Sequence, residues 1–167
     1  MDIIVRAIAI GVGATLVMDV WGVLLKRGFG VRGLDYAMVG RWLGHMPAGR
    51  FAHASIAAAA PVRGERVLGW IVHYATGIVF AGLLLAICGA GWARRPTMLP
   101  ALVMGLATVA APFLLMQPGM GLGVAASNTP YPHVARLRSL VTHTVFGFGL
   151  YGAAWVLAWA LAWLEEI

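Results

Sequence analysis

An all-α membrane protein, with four transmembrane helices in one bundle and a short amphipathic interfacial helix in the first loop, is the fold the sequence predicts. Three observations predict it. Of the 167 residues, 61% are hydrophobic, and the mean hydropathy is +0.86, whereas soluble domains average roughly 45–50% apolar residues. Four apolar stretches, Ala7–Leu25, Val67–Trp92, Thr97–Gln117 and Ser139–Leu164, match the roughly 20 residues that a helix needs to cross a bilayer. The charged residues, 11% of the chain, gather mainly between those stretches. Four spans in so short a chain imply one four-span domain over residues 1–167, with no separate soluble domain.

The first stretch carries one acid, Asp19, in an otherwise apolar run. A carboxylate there costs roughly 3 kcal/mol on insertion scales, so it marks a functional site by default. A cleaved signal peptide is not expected, because Asp19 falls inside the run and no small-x-small cleavage site follows it. In the connection after it, Leu34, Met38, Val39, Trp42, Leu43 and Met46 recur at helical spacing, with Asp35, Arg41 and His45 off that stripe. This pattern predicts the amphipathic helix lying at the membrane interface. Phe51–Ala60 is expected to form a second short helix ended by Pro61.

The second and fourth stretches contain no Asp, Glu, Lys or Arg. Pro112 in the third would free a backbone carbonyl. The connection from Pro118 to Pro132 holds Gly119, Gly121, Gly123 and Pro130 and reads as irregular backbone, which must be buried in protein or lie at the water interface. Whether it re-enters the membrane is left open by the sequence. Trp42, Trp92, Trp155, Trp159 and Trp163 sit near span ends, as interfacial belts do.

The net charge is +6 and the pI about 10.5, but the placement of the charges argues against nucleic acid. Lys26, Arg27, Arg32, Arg41, Arg50, Arg63 and Arg66 lie in the first connection, and Arg136 and Arg138 in the third. The opposite side has Arg6, Arg94 and Arg95. The positive-inside rule then places the first and third connections in the cytoplasm and both termini outside. The expected partners are the bilayer and anionic lipid head groups. A single cysteine, Cys88, excludes an internal disulfide and a cysteine-based zinc motif.

The halves of the chain echo each other. Arg66, His73 and Gly77 have the spacing of Arg136, His143 and Gly147, and Ala14-Thr15 corresponds to Ala107-Thr108. This reads as a parallel repeat of two helices per unit. Asp19 precedes Lys26-Arg27 by seven residues, and each histidine follows its arginine by seven. At 1.5 Å per residue, all three groups fall about 10 Å inward from the cytoplasmic arginines. Asp19, His73 and His143 are therefore expected in one layer, with Thr15 and Thr142 beside it. Gln117, which borders the Gly/Pro-rich connection, is a further candidate for a polar ligand.

Three readings of that layer compete. It ties helices together by hydrogen bonds; it relays a proton or holds a small polar ligand in transport; or His73 and His143 ligate a b-type haem, or together with Asp19 a transition metal. The second leads. No P-loop, nucleophile elbow or HExxH is present, and no catalytic residue is expected. Four spans are few for a complete transporter, so a homo-oligomer or a larger membrane partner is expected.

Ala14-Thr15 with Met18-Asp19-x-Trp21, then Gly40-Arg41-Trp42-Leu43-Gly44, Gly69-Trp70-x-x-His73-Tyr74, Met116-Gln117-Pro118 and Arg136-x-Arg138-Ser139 together resemble a bacterial family, domain of unknown function 2938. The resemblance runs over nearly the whole chain. It implies a small four-span protein of the bacterial inner membrane, and brings no activity, cofactor or substrate with it.

Overall fold

The computed structural model describes residues 2–31 and 33–165. Arg32, counted above among the basic residues of the first connection, lies outside the described residues. The described residues are helical, with no strand among them. Four helices are long and apolar enough to cross a membrane: Ile3–Phe29, Glu65–Cys88, Met98–Gly119 and Pro132–Leu164. The chain divides into two compact units, Met1–Arg32 with Tyr74–Ala107 and Thr142–Ile167, and Gly33–His73 with Thr108–Val141.

The first unit contains α1 (Ile3–Phe29), the part of α3 (Glu65–Cys88) from Tyr74 onward, α4 (Ala90–Arg94), α5 (Met98–Ala107) and the part of α7 (Pro132–Glu165) from Thr142 onward. Asp2 caps α1 by accepting from the Ile4 amide at 3.2 Å. Gly30 closes it in the left-handed conformation, donating to the Leu25 carbonyl. The core is built from small side chains (Ala7, Ala14, Ala81, Ala101, Ala154) around Ile10, Leu84, Leu85 and Leu150. Small residues let backbones meet, which replaces the hydrophobic drive that lipid removes. A Cβ on Gly11 would come 2.5 Å from Ile78 Cα beside Gly77, and one on Gly105 would come 2.6 Å from Gly147 Cα. Gly77 and Gly147, which stand at the same offset from Arg66 and Arg136, therefore sit at these two helix crossings.

The second unit contains α2 (Tyr36–His45), the start of α3, α6 (Gln117–Gly119) and the start of α7. The expected amphipathic helix forms, capped by Asp35, whose carboxylate accepts from the Ala37 amide at 2.9 Å. Its buried residues are Ala37, Val39, Gly40 and Arg41, so Arg41 is buried although the stripe leaves it outside. Two backbone bonds, His53 N–H to Gly119 O (2.9 Å) and Ile56 N–H to Met120 O (3.1 Å), join the first connection to the third.

Several sequence expectations need correction. Phe51–Ala60 makes only one 3₁₀ turn, Ile56–Ala58, because its backbone groups serve Met120 and Arg41 instead of a helix ladder. The second span ends at Cys88, where Gly89 takes φ 78°, and the fourth begins earlier, at Pro132. Trp92 is buried in the core and donates to Thr97 O at 3.2 Å, so it is no belt residue. The third span breaks into a turn at 108–109, four residues before Pro112, as a missing amide and a ring clash require, and continues as a π turn over Pro112–Met116. The following connection is irregular as expected, with Ala125 (φ 48°) and Ala126 (φ 59°) both left-handed. Left-handed backbone costs a non-glycine residue roughly 1 kcal/mol. Ala125→Gly is therefore expected to leave the melting temperature unchanged or slightly raised, in contrast to glycine at a helical alanine such as Ala81.

Candidate functional site

Asp19 lies half-buried on α1, in the first unit. The Tyr74 hydroxyl of α3 donates to its Oδ2 at 2.8 Å. A charge-assisted O–H···O bond of this kind is among the stronger side-chain bonds, and it fixes one carboxylate oxygen while binding α1 to α3. Thr15, one turn earlier, is 1% exposed. Its hydroxyl donates to Gly11 O at 2.8 Å, and the side chain packs on Gly77. It is occupied within the crossing of α1 and α3 and presents no hydroxyl proton to a ligand.

His143, in the same unit, is half-buried on α7 and hydrogen-bonded to the backbone of Gly105 on α5. That bond falls at the Gly105–Gly147 crossing, so this histidine acts where α5 and α7 meet. Thr142 is half-buried beside it.

His73 lies in the second unit. Its Nε2 and the Tyr36 hydroxyl are 3.0 Å apart. The Tyr36 ring lies 4.2 Å from the imidazole and 4.5 Å from Trp70, centroid to centroid. Nε2, the nitrogen most often bound to haem iron, is thus already engaged, and an axial role for His73 would require that bond to break. The residues do not fit a bis-histidine haem as they stand. Among the described residues, no group of three or more His, Cys, Asp or Glu side chains is placed to hold a metal ion, so the Asp19–His73–His143 metal reading has no assembled ligand set.

A polar centre of the second unit, the Arg41–Glu65 pair, is one the sequence did not flag. The Arg41 guanidinium meets Glu65 through two 2.8 Å bonds, Nε to Oε2 and Nη2 to Oε1. Its Nη1 also donates to the carbonyls of Ile56, Ala57 and Ala59 at 3.2–3.4 Å. The hydrogen bond to Glu65 raises the Arg41 pKa further above its ordinary value, which keeps the group charged. Elsewhere in the unit, Gln117 is 7% exposed and its buried Oε1 has no hydrogen-bond partner. Both ring nitrogens of His53 are likewise buried and unpartnered, with the His45 ring edge-on at 5.1 Å.

Tyr74 and Tyr36 are the partners that sequence reasoning missed. The signal was their position: Tyr74 follows His73, and Tyr36 opens the amphipathic helix. The model of the family described as protein of unknown function DUF2938 matches residues 8–157. The chain belongs to that family. The match spans α1 to most of α7 and includes Asp19, Tyr74 and the other polar residues described above. Membership in DUF2938 carries no activity, and neither the curated proteins nor the solved structures yield a match.

Proposed function

We propose that the chain is a non-enzymatic integral membrane protein of the bacterial inner membrane that handles a proton at Asp19 as a component of a transport process. The observation that carries the reading is the Tyr74 hydroxyl donating to Asp19 Oδ2 at 2.8 Å, on helices apolar enough to cross a bilayer. An ionisable group within a span is a functional site by default, and the Asp19 carboxylate is the group of this pair that can bind and release a proton. In this reading the first and third connections are cytoplasmic, both termini are periplasmic, and the working form is an oligomer. An alkaline phosphatase fused after residue 167 is then expected to be active, and one inserted at Gly49 inactive.

The test is proton uptake into proteoliposomes carrying an internal pH dye, driven by a potassium diffusion potential. Asp19→Asn is expected to lower uptake at least tenfold while shifting the melting temperature little. Asn keeps an acceptor for Tyr74, and interhelical bonds of this type are worth only about 0.6 kcal/mol on average. Wild-type uptake no faster than in protein-free vesicles overturns the proposal. A large loss of stability in Asp19→Asn with no change in uptake assigns the acid to helix pairing instead.

A further inference from the structure

Resting on the proton-handling reading of Asp19, we propose that Tyr74 is a positioning residue of that site, supplying the hydrogen bond that lets Asp19 release its proton. It is not there to tie two helices together, because α1 and α3 are joined without it. A Cβ added to Gly82 would meet the Ala7 Cβ at 3.9 Å, one on Gly11 would come 2.5 Å from Ile78 Cα, and one on Gly77 would fall onto the Thr15 hydroxyl. Ala7, Gly11 and Thr15 are four residues apart and share one face of α1, and Asp19 is the next step of that stripe. On α3 the partners run back from Gly82 through Ile78 and Gly77 to Tyr74. The two backbones are thus close over roughly three turns, the kind of packing that joins helices in lipid.

Against that packing a carboxylate is a poor tie. Its insertion cost exceeds the average worth of an interhelical hydrogen bond roughly fivefold. A neutral acceptor at position 19 would take the same hydroxyl bond without that cost. What a neutral acceptor lacks is a proton that can leave. When it leaves, the acid O–H bond breaks with its electron pair kept on oxygen. Tyr74 retains its own proton and donates it to Oδ2 of the resulting anion. That bond is charge-assisted in this state and an ordinary neutral one when Asp19 is protonated, a difference of about twofold in strength. A hydroxyl that binds one state more strongly shifts the equilibrium toward it. With phenylalanine in its place the anion loses a donor inside an apolar seam, and release is the step that suffers.

The test compares proteoliposomes of the full chain carrying wild type, Asp19→Asn and Tyr74→Phe. Proton uptake in Tyr74→Phe is expected to fall at least tenfold. Incorporating 3-fluorotyrosine at position 74 keeps the hydroxyl, strengthens it as a donor and restores uptake. A spectroscopic signature is read on the detergent-solubilised protein, where no transport is needed. The proton-induced infrared band of the Asp19 carboxyl, identified by its loss in Asp19→Asn, moves to higher frequency in Tyr74→Phe and to lower frequency with 3-fluorotyrosine. A side chain that only pairs helices does not move that band in opposite directions. Uptake in Tyr74→Phe equal to the wild type, with Asp19→Asn inactive, overturns this role for Tyr74 and leaves the proton reading of Asp19 standing. Wild-type uptake no faster than in protein-free vesicles removes both. Uptake that 3-fluorotyrosine fails to restore, or a carboxyl band unmoved by either change, assigns Tyr74 to helix pairing and overturns the proposal.

Discussion

Gly40→Ala and Gly69→Ala should each lower the stability of the detergent-solubilised protein by on the order of 3 kcal/mol, the upper part of the range for forcing atoms into a packed site. The two glycines face each other where α2 crosses the start of α3. A Cβ on Gly40 would fall onto the Glu65 carbonyl oxygen and 2.6 Å from its carbon, while one on Gly69 would fall onto the Tyr36 carbonyl and 2.6 Å from its carbon. Backbone atoms in two helices cannot swing aside as a long side chain can. The helices must separate, and separation stretches the Arg41–Glu65 bonds and the Tyr36–His73 contact on the same face. The consequence should reach beyond one methyl group: both variants are expected to melt earlier and with lower cooperativity by circular dichroism. Gly28→Ala is the control, because nothing lies within 4 Å of its Cβ. If either crossing variant melts with Gly28→Ala and the wild type, the close approach of α2 to α3 is wrong.

The helical class was legible because apolar length is a one-dimensional property, and a bilayer imposes it residue by residue. The spacing shared by Gly77 and Gly147 was legible for a related reason, since a glycine at a crossing leaves a trace at a fixed offset. The partners of the polar residues were not. Asp19 and His73 stand at similar inferred depths, yet Asp19 is held by Tyr74 and His73 by Tyr36. Which tyrosine reaches which group depends on the rotation of each helix about its axis, and periodicity in an almost uniformly apolar segment fixes that rotation poorly. Arg41 shows the same difficulty from the other side. Placed against an apolar stripe it belongs in solvent, and only its fork of donors, matched to Glu65 and three carbonyls 15–18 residues on, explains its burial. Gln117 was singled out from its place beside Pro118, but the missing partner of its Oε1 depends on packing that no linear pattern carries.

Arg41→Met is expected to be the most damaging change of a charged residue in the chain, well beyond Arg63→Met on the exposed stretch before α3. Removing the guanidinium leaves the Glu65 carboxylate with the Val62 amide at 2.9 Å and releases the carbonyls of Ile56, Ala57 and Ala59, around which the irregular 3₁₀ segment is organised. Breaking a buried pair from one side costs more than replacing both partners, because one charge stays behind without its counterpart. Glu65→Met should therefore be far less costly in the Arg41→Met background than in the wild type, and a double-mutant cycle on melting curves should return a clear coupling between the two positions. Arg41→Lys separates charge from geometry. Lysine keeps the charge and loses the planar fork, so it cannot hold both carboxylate oxygens and three carbonyls together, and its melting temperature is expected to fall between the wild type and Arg41→Met. Additive effects in the cycle, or a lysine variant as stable as the wild type, would reduce Arg41 to an ordinary surface cation and leave the 56–59 turn held by its backbone bonds to Ser55, Ile56 and Met120.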